Sequence, residues 1–336
     1  MTTPMTVTLD QAEDIAMQCL IASGASGLQA GAVARSIRDA EAEGTRGIGL
    51  GYLPWYCGHL GAGKIAGHAL PIVASTAPGM IRVDAADGFA HAGYEAGETA
   101  LIAAAARQGI ALLGITNAYA CGVLGYFTGR LARRGLIALM FANASATMAP
   151  WGGRTRFFGT NPWSMAAPRT GAPLILDSSS SATAFVNLAT AAATGQPIPA
   201  HWALDSAGSP TTDPTAAMAG SIAPSGGHKG AALALMVEVL AAGLTGASWS
   251  HVASSLGDDL GGPPRLGQTI IAIRPEGMGV LGLAGRIDAM LADMSAQPGV
   301  RVPGDRRHAN RVKHEAQGVS LDAPLIATLR RLGGKL

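Results

Sequence analysis

The sequence predicts an α/β protein, and three observations support that class. Strand-like and helix-like segments alternate along the chain, which is the order typical of α/β architectures. Of 336 residues, 48% are hydrophobic and only 14% are charged, which indicates a compact chain with ample core material. No internal repeat and no low-complexity linker interrupts it. We therefore expect interleaved domains.

Each element was predicted from its own pattern. Thr8-Leu-Asp-Gln11 has the form of a capping box and predicts a helix through about Ser23. A second helix follows, from about Leu28 to Glu43. Apolar, β-branched runs bounded by turn residues predict strands, and apolar periodicity predicts the other helices. The predicted strands are 71–75, 80–84, 109–116, 136–142, 174–177 and 269–273, and the further helices are 94–107, 123–134, 182–194, 231–244, 283–295 and 322–332.

Two of these segments carry further expectations. The helix at 231–244 is apolar nearly all round, which predicts a central position. The Gly- and Pro-rich stretch 257–265 is predicted to be a mobile surface loop. His91 stands at the start of the helix predicted at 94–107, where a packing role is favoured over a role in the site.

The segment Glu43–Tyr56 is predicted to form a loop beside the substrate. Its glycines allow close approach of the backbone to a ligand, and Pro54 is expected to stop any helix. Tyr52, Trp55 and Tyr56 concentrate aromatic surface in a chain that has little of it. From residue 44 to 56 there is no His, Cys, Asp or Glu. The loop therefore lacks an obvious acid–base group.

Two segments have the chemistry of anion-binding sites. Ser225-Gly-Gly-His-Lys-Gly230 places small residues and Lys229 at the start of a predicted helix, where backbone N–H groups and the helix dipole favour negative charge. A tight turn with a solvated lysine explains the segment equally well. Ser178 to Ser181, after the strand that ends at Asp177, form a second such place. No Rossmann glycine fingerprint, Walker sequence or nucleophile elbow accompanies them.

Composition limits the partners. A net charge of +2 without a lysine-rich run argues against nucleic acid. The first residues lack the pattern of a signal peptide, and the most apolar run is too short to cross a bilayer. Three cysteines without a C-x-x-C spacing and scattered histidines argue against disulfides and metal. We expect a soluble cytoplasmic protein without a metal site.

Several segments together resemble one family. They are Gly159-Thr-Asn-Pro162, Leu176-Asp-Ser-Ser-Ser-Ser181, Ile198-Pro-Ala-His-Trp-Ala-Leu-Asp205, Gly208-Ser-Pro-Thr-Thr-Asp213, Pro224-Ser-Gly-Gly-His-Lys-Gly230 and Val302-Pro-Gly304. In this order they are similar to the malate/L-lactate dehydrogenases that are unrelated to the Rossmann enzymes. That family includes sulfolactate and ureidoglycolate dehydrogenases and reductases of cyclic imino acids. The resemblance covers residues 8 to 330.

The resemblance implies a fold and a cofactor. It implies a homodimer with a non-Rossmann NAD(P)-binding domain, whose mixed sheet is largely antiparallel, and a helical domain built from both chain ends. The corresponding division is 1–75 with 300–336, against 76–299. NADPH is the expected cofactor, with NADH possible. The cofactor contacts implied by position are Ala120, Cys121, Gly122, Val123, Leu124, Ser178, Ser179, Ser180, His228, Lys229, Gly304, Asp305, Arg306 and Arg307.

The chain departs from the family pattern where the family has its proton relay. Ile48, within Gly47-Ile-Gly49, replaces the histidine that donates the proton, and Tyr52 replaces the arginine that holds the substrate carboxylate. Ala120 and Asn187 stand where the relay has a second histidine and an aspartate (often a lysine in the dehydrogenases). Thr160 matches a threonine that contacts the substrate. The predicted substrate pocket is therefore Ile48, Tyr52, Thr160 and Asn187.

Three functions remain open at this point. Reduction of a ketone needs a positioned acid, whereas an iminium carbon accepts hydride without one. The loss of the relay thus favours an NAD(P)H-dependent reductase of a small cyclic C=N compound in specialised biosynthesis. Tyr52 and Tyr119 are candidate replacement donors or simple wall residues of the pocket. A 2-oxo acid or 2-hydroxy acid oxidoreductase with a relocated donor, or an inactive ligand-binding homologue, are the alternatives.

Overall fold

The computed structural model describes residues 5–336 as eleven strands, eleven α-helices and short 3₁₀ and π turns. The strands are β1 Met5–Val7, β2 Ile72–Ala77, β3 Met80–Asp84, β4 Ile110–Ala118, β5 Ile137–Ala142, β6 Trp163–Ala167, β7 Leu174–Ser178, β8 Ala203–Leu204, β9 Ser221–Ile222, β10 Leu266–Ile273 and β11 Val319–Leu321. The helices are α1 Leu9–Ala22, α2 Gly27–Ala42, α3 Leu53–Gly61, α4 Ala90–Gln108, α5 Leu124–Ala132, α6 Phe185–Thr194, α7 Pro214–Ala219, α8 His228–Glu238, α9 Leu283–Ser295, α10 Asp305–Gln317 and α11 Ala323–Arg331.

A seven-stranded sheet forms the centre, in the order β2-β3-β4-β10-β5-β6-β7. Only the β3–β4 pair is parallel, and its five other pairs are antiparallel. Helices α4 and α5 pack on the sheet through a core that includes Tyr94, Leu113, Phe127 and Ile270. The predicted class, an α/β protein with a largely antiparallel mixed sheet, is confirmed.

A second core is built by segments from both ends of the chain. Helices α1, α2, α3 and α11 share one apolar cluster, and β1 pairs with β11 so that Val7 lies opposite Val319. Thr8 caps α1 with the reciprocal hydrogen bonds to Gln11 that the sequence predicted. The helical part of the fold therefore joins both chain ends, as expected. The boundaries at 75/76 and 299/300 stay a prediction.

Some local predictions were wrong. Pro54 does not stop a helix, because it occupies the first turn of α3, where a missing N–H costs nothing. Helix α10 was not predicted because its sequence is mostly charged and polar, with few apolar residues to mark a buried face. Strand β6 was not among the predicted strands. Helix α8 and the π turn that follows it are not buried all round: Leu235 and Met236 of α8 are 53% and 43% exposed, and Val239 of the turn is 52% exposed.

Among the helices of residues 5–336, none has both the length and the apolar character of a membrane span. In the same residues, no group of three or more His, Cys, Asp and Glu side chains is arranged to hold a metal ion.

Candidate functional site

A cleft of about 660 Å³ opens where the two cores meet. Its walls come from the turn at 45–52, the turn between β4 and α5, the segment after β5, the end of β7, the start of α6 and the loop at 255–257. Most residues predicted for the site line it. They are Ile48, Tyr52, Ala120, Cys121, Gly122, Val123, Leu124, Thr160, Ser178, Ser179 and Arg307.

The other predicted residues lie behind or beside the cleft. Tyr119 is fully buried behind Tyr52, and Ser180 is buried and donates a hydrogen bond to the Asn161 carbonyl at 2.8 Å. Asn187 is exposed on α6 and donates to Thr183, itself a lining residue. The remaining ones lie at the N-termini of α8 and α10: His228, Lys229, Gly304, Asp305 and Arg306.

The wall that carries Ile48 and Tyr52 is shaped by a buried carboxylate. Oε1 of Glu41 accepts a hydrogen bond from the backbone N–H of Leu50 at 2.8 Å. Gly49 fits against it because a Cβ there would approach Oε1 to 2.3 Å. Burial raises the pKa of Glu41, and the Leu50 N–H and the Arg46 charge act in the opposite direction. This contact fixes two 3₁₀ turns that present the two side chains to the cleft.

The turn before α5 suits an anionic ligand. Helix α5 begins at the cleft wall, where the N–H of Gly125 donates to Oδ2 of Asp177 at 3.0 Å and the helix dipole favours negative charge. Gly122 has a φ of +65°, a backbone that favours glycine. Ser178 and Ser179 add hydroxyl groups, and Arg307 adds a positive charge that also contacts Asp177 at 3.2 Å. The residues present fit the phosphates of a dinucleotide.

Aromatic side chains pack beside this turn, where the Tyr56 hydroxyl lies 3.3 Å from the position that a Cβ on Gly122 would take. The rings of Tyr52, Tyr56, Phe89 and Tyr119 pack edge to face, with centroids 4.9 to 6.0 Å apart. Behind them the Tyr119 hydroxyl lies 2.5 Å from Nδ1 of His59. Burial raises the pKa of Tyr52, and a hydrogen bond from Tyr119 partly offsets that rise. Tyr52 therefore carries a polar hydroxyl on an otherwise apolar wall.

Two other titratable groups near this turn are held neutral. Burial raises the pKa of the Cys121 thiol to about 12, with a further contribution from Asp177. Burial also lowers the pKa of His91 to about 3. Its Nε2 lies 3.8 Å from the position that a Cβ on Gly122 would take. Neither group carries a charge at neutral pH.

Sequence reasoning missed three contributors. His59 and Asp259 stand behind Tyr119, and Arg156 lines the cleft. The spacing of Tyr52, Tyr56 and His59, four and then three residues, is that of one helical face and was the available signal. This spacing has no meaning if Pro54 ends a helix, which is what the sequence predicts. For Asp259, some 200 residues further on, the sequence holds no local signal.

Comparison with known proteins places this architecture in a family. The family model described as malate/L-lactate dehydrogenase matches residues 7–330. The chain is 42% identical to a (2R)-3-sulfolactate dehydrogenase (NADP(+)) of Chromohalobacter salexigens, over 95% of this chain and 94% of that protein. It is 39% identical to a Δ(1)-pyrroline-2-carboxylate reductase of Ancylobacter novellus, over 98% of both chains.

A solved structure shows the same fold. The crystal structure of a Δ1-piperideine-2-carboxylate reductase from Pseudomonas syringae pv. tomato superposes with a TM-score of 0.93 at 33% identity. The match covers 98% of this chain and 99% of that one. Since both the family model and these relatives span nearly the whole sequence, this chain belongs to the malate/L-lactate dehydrogenase family.

Proposed function

We propose that the protein is an NADPH-dependent reductase of the C=N bond in a small cyclic imine. The observation that carries this proposal is the wall formed by Ile48 and Tyr52. Both side chains line the cleft, at the positions where the resemblance implies an acid and a carboxylate-binding arginine. An apolar group and a weakly acidic phenol suit a C=N substrate, whose basic nitrogen accepts a proton from a weaker acid than a ketone oxygen requires.

The charges in the cleft support the same substrate class. Arg156 donates from Nε to the Gly220 carbonyl at 2.7 Å, and Arg307 pairs with Asp177 and Glu43. Both arginines of the cleft are thus engaged with the protein itself. We infer a substrate without the usual 2-carboxylate.

The cofactor proposal rests on the phosphate-suited end of the cleft. The turn Ala120–Leu124, Ser178, Ser179 and Arg307 would hold the dinucleotide. When bound, the reduced nicotinamide supplies the hydride. NADPH is favoured because one relative is named for NADP(+).

A substrate panel tests the proposal. NADPH oxidation is followed with 1-pyrroline and 1-piperideine, with their 2-carboxylates, and with the 2-oxo acids pyruvate and 3-sulfopyruvate. We expect turnover of cyclic imines, with those lacking the carboxylate at least equal to those carrying it. Turnover of the 2-oxo acids at ordinary enzyme rates, with all imines inert, would overturn it.

A second candidate is reduction of a 2-oxo acid with a relocated proton donor. It is favoured by the hydroxyl of Tyr52 and by the relative named as a sulfolactate dehydrogenase. In the same panel this function predicts preference for 3-sulfopyruvate. Absence of NADPH and NADH binding by calorimetry would instead indicate an inactive ligand-binding homologue.

We also propose a homodimer. Leu235 of α8 and Val239, the first residue of the π turn that continues it, stand four residues apart, so they share one exposed apolar face, a feature typical of an interface. Sedimentation of the protein is expected to give the mass of a dimer, and the double variant Leu235→Glu with Val239→Glu the mass of a monomer. Val312→Glu, at a 70% exposed position on α10, is the matched control and should remain dimeric.

Cellular context completes the proposal. Cys19, Cys57 and Cys121 are free thiols, which suits the reducing cytoplasm, and NADPH is the usual reductant of biosynthesis. We therefore propose a cytoplasmic, biosynthetic enzyme. Recovery in the periplasmic or membrane fraction on cell fractionation would contradict that location.

A further inference from the structure

Behind the cleft wall, polar atoms follow one another through a core of aromatic rings. Tyr52 lines the cleft and packs against the aromatic cluster that contains Tyr119, with Tyr56 in ring contact with both. The Tyr119 hydroxyl lies 2.5 Å from Nδ1 of His59. Both Tyr119 and His59 are fully buried. A buried hydroxyl or imidazole costs free energy unless it is paired, and here the Tyr119 hydroxyl and Nδ1 of His59 pair with each other.

On the side of His59 that faces away from the cleft, the polar groups reach the protein surface at Asp259. Nε2 of His59 has no hydrogen-bond partner among the described residues and faces Oδ1 of Asp259 at 3.6 Å. The Asp259 side chain is 69% exposed. Water around this carboxylate is therefore separated from the cleft only by one imidazole and two phenols.

The loop that carries Asp259 is tied in place. Nζ of the buried Lys64 donates to the Ser255 carbonyl at 2.6 Å and to the Leu260 carbonyl. The N–H of Leu256 donates to Oγ of Ser145 at 3.0 Å. Asp259 is thus held over His59 by contacts on both sides of it in the loop.

We propose that Tyr52, Tyr119 and His59 form a proton relay, in which Tyr52 is the catalytic residue that protonates the substrate. Tyr119 and His59 are positioning residues, which act through Tyr52 by supplying its proton. The inference rests on the proposed reductase function and names the origin of the proton in that reaction.

The transfer balances in protons and charge. The O–H bond of Tyr52 breaks as an N–H bond forms on the substrate. The Tyr52 oxygen takes the proton of Tyr119, whose oxygen takes the Nδ1 proton of the His59 imidazolium. His59 is left neutral with its remaining proton on Nε2, toward Asp259. The hydride and its electron pair come from the reduced nicotinamide of the proposed reaction, and a proton returns from water by the same path after product leaves.

The charges around His59 set the pH range. Burial lowers its pKa, the Lys64 charge lowers it further, and Asp259 and Asp258 raise it. The net pKa lies below the ordinary value of 6.5. Because the imidazolium is the donor, the rate of the proton-coupled step should fall as pH rises through that pKa.

Kinetics give the first test, with 1-pyrroline and NADPH in single-turnover mixing between pH 5 and 8. Tyr119→Phe is expected to slow the step about 10-fold, and Tyr52→Phe about 100-fold. His59→Gln keeps a hydrogen-bonding side chain but cannot titrate, so its profile should lose the falling limb. The control is Tyr94→Phe, which removes another buried hydroxyl, one that donates to Glu98. Rates and pH profiles equal to that control would overturn the relay.

Histidine NMR gives a test that needs no turnover. The His59 ring is titrated in the wild type, in Tyr52→Phe, Asp259→Asn and Tyr94→Phe. We expect Asp259→Asn to lower the His59 pKa, Tyr52→Phe to shift it through Tyr119, and Tyr94→Phe to leave it unchanged. If Tyr52→Phe leaves the pKa of His59 unchanged, the relay is overturned. If the protein reduces none of the panel compounds, the proposed function fails while this titration still decides the coupling.

Discussion

At the scale of single residues, the surroundings of Ile48 decide whether the cleft wall could orient a proton-donating histidine at this position. The resemblance implies a proton-donating histidine at this position, but its implied partners are Ala120 and Asn187. Ala120 has no polar side chain, and Asn187 is exposed and bonded to Thr183. A histidine placed at 48 would therefore have nothing to orient its ring or set its tautomer.

We expect Ile48→His to leave kcat/KM for a cyclic imine unchanged or lower it by up to about 10-fold, since it removes an apolar wall. Ile48→Val is the matched control and should stay close to the wild type. A clear rise of kcat/KM in Ile48→His, measured by NADPH oxidation, would show that a histidine at this position can still donate a proton to the substrate.

His91 makes stability depend on pH. Its folded-state pKa is about 3, lowered by burial from the model-compound value of 6.5. Between these values the unfolded chain binds the proton and the folded chain does not. The stabilisation is therefore complete above pH 6.5 and is lost as pH falls, at up to about 1.4 kcal/mol per pH unit.

Urea unfolding at pH 7, 6 and 5 measures this slope. His91→Gln is expected to flatten it, because glutamine does not titrate in that range. The buried His59, whose pKa is also lowered, should retain a smaller slope in the variant. Identical slopes in variant and wild type would contradict the assignment to His91.

At the scale of elements, one side chain connects the loop at 255–260 to the segment after α3. Lys64 follows α3 and reaches two loop carbonyls through a buried ammonium group. Lys64→Met keeps the length of the side chain and removes both hydrogen bonds. We expect faster amide exchange in 255–260, by about 10-fold or more, because a charged hydrogen bond contributes roughly 1.5–3 kcal/mol.

Hydrogen-exchange mass spectrometry makes this measurement, with α9 as the internal reference. Helix α9 makes no hydrogen bond to Lys64 or to that loop among the described residues. Unchanged exchange at 255–260 would mean that the Ser145 contact alone holds the loop.

Elements with a local pattern were predictable, and those without one were not. The Thr8 capping box and the apolar periods of α1 and α9 fixed these helices to within a residue or two. The two-residue strands β8 and β9 have no sequence pattern of their own. The relay was partly visible, since Tyr52 and Tyr119 were candidate donors. His59 and Asp259 join them only through tertiary contacts, which no spacing along the chain reveals.

At the scale of the whole molecule, cofactor binding should stabilise the fold. The cleft is lined by both cores, so a ligand that bridges them binds the folded chain and not the unfolded one. At NADPH concentrations 100 times Kd we expect about 2.7 kcal/mol of stabilisation, which corresponds to a rise in Tm of several degrees. Scanning calorimetry measures it, and an equal rise with AMP alone would indicate that only the adenosine end is bound.

The pairing of β1 with β11 has a consequence for synthesis of the chain. Cys19 and Leu329, which touch in the helical core, are 310 residues apart, roughly 15–60 s of translation. All strands of the central sheet are synthesised before α11 and β11. Until those two elements emerge from the ribosome, the apolar surface of α1, α2 and α3 that packs against them stays exposed. Tyr52 and His59 belong to this incomplete helical layer. The wall that carries Tyr52 is therefore among the last parts to form, and the exposed apolar surface of the unfinished layer is the kind that chaperones bind.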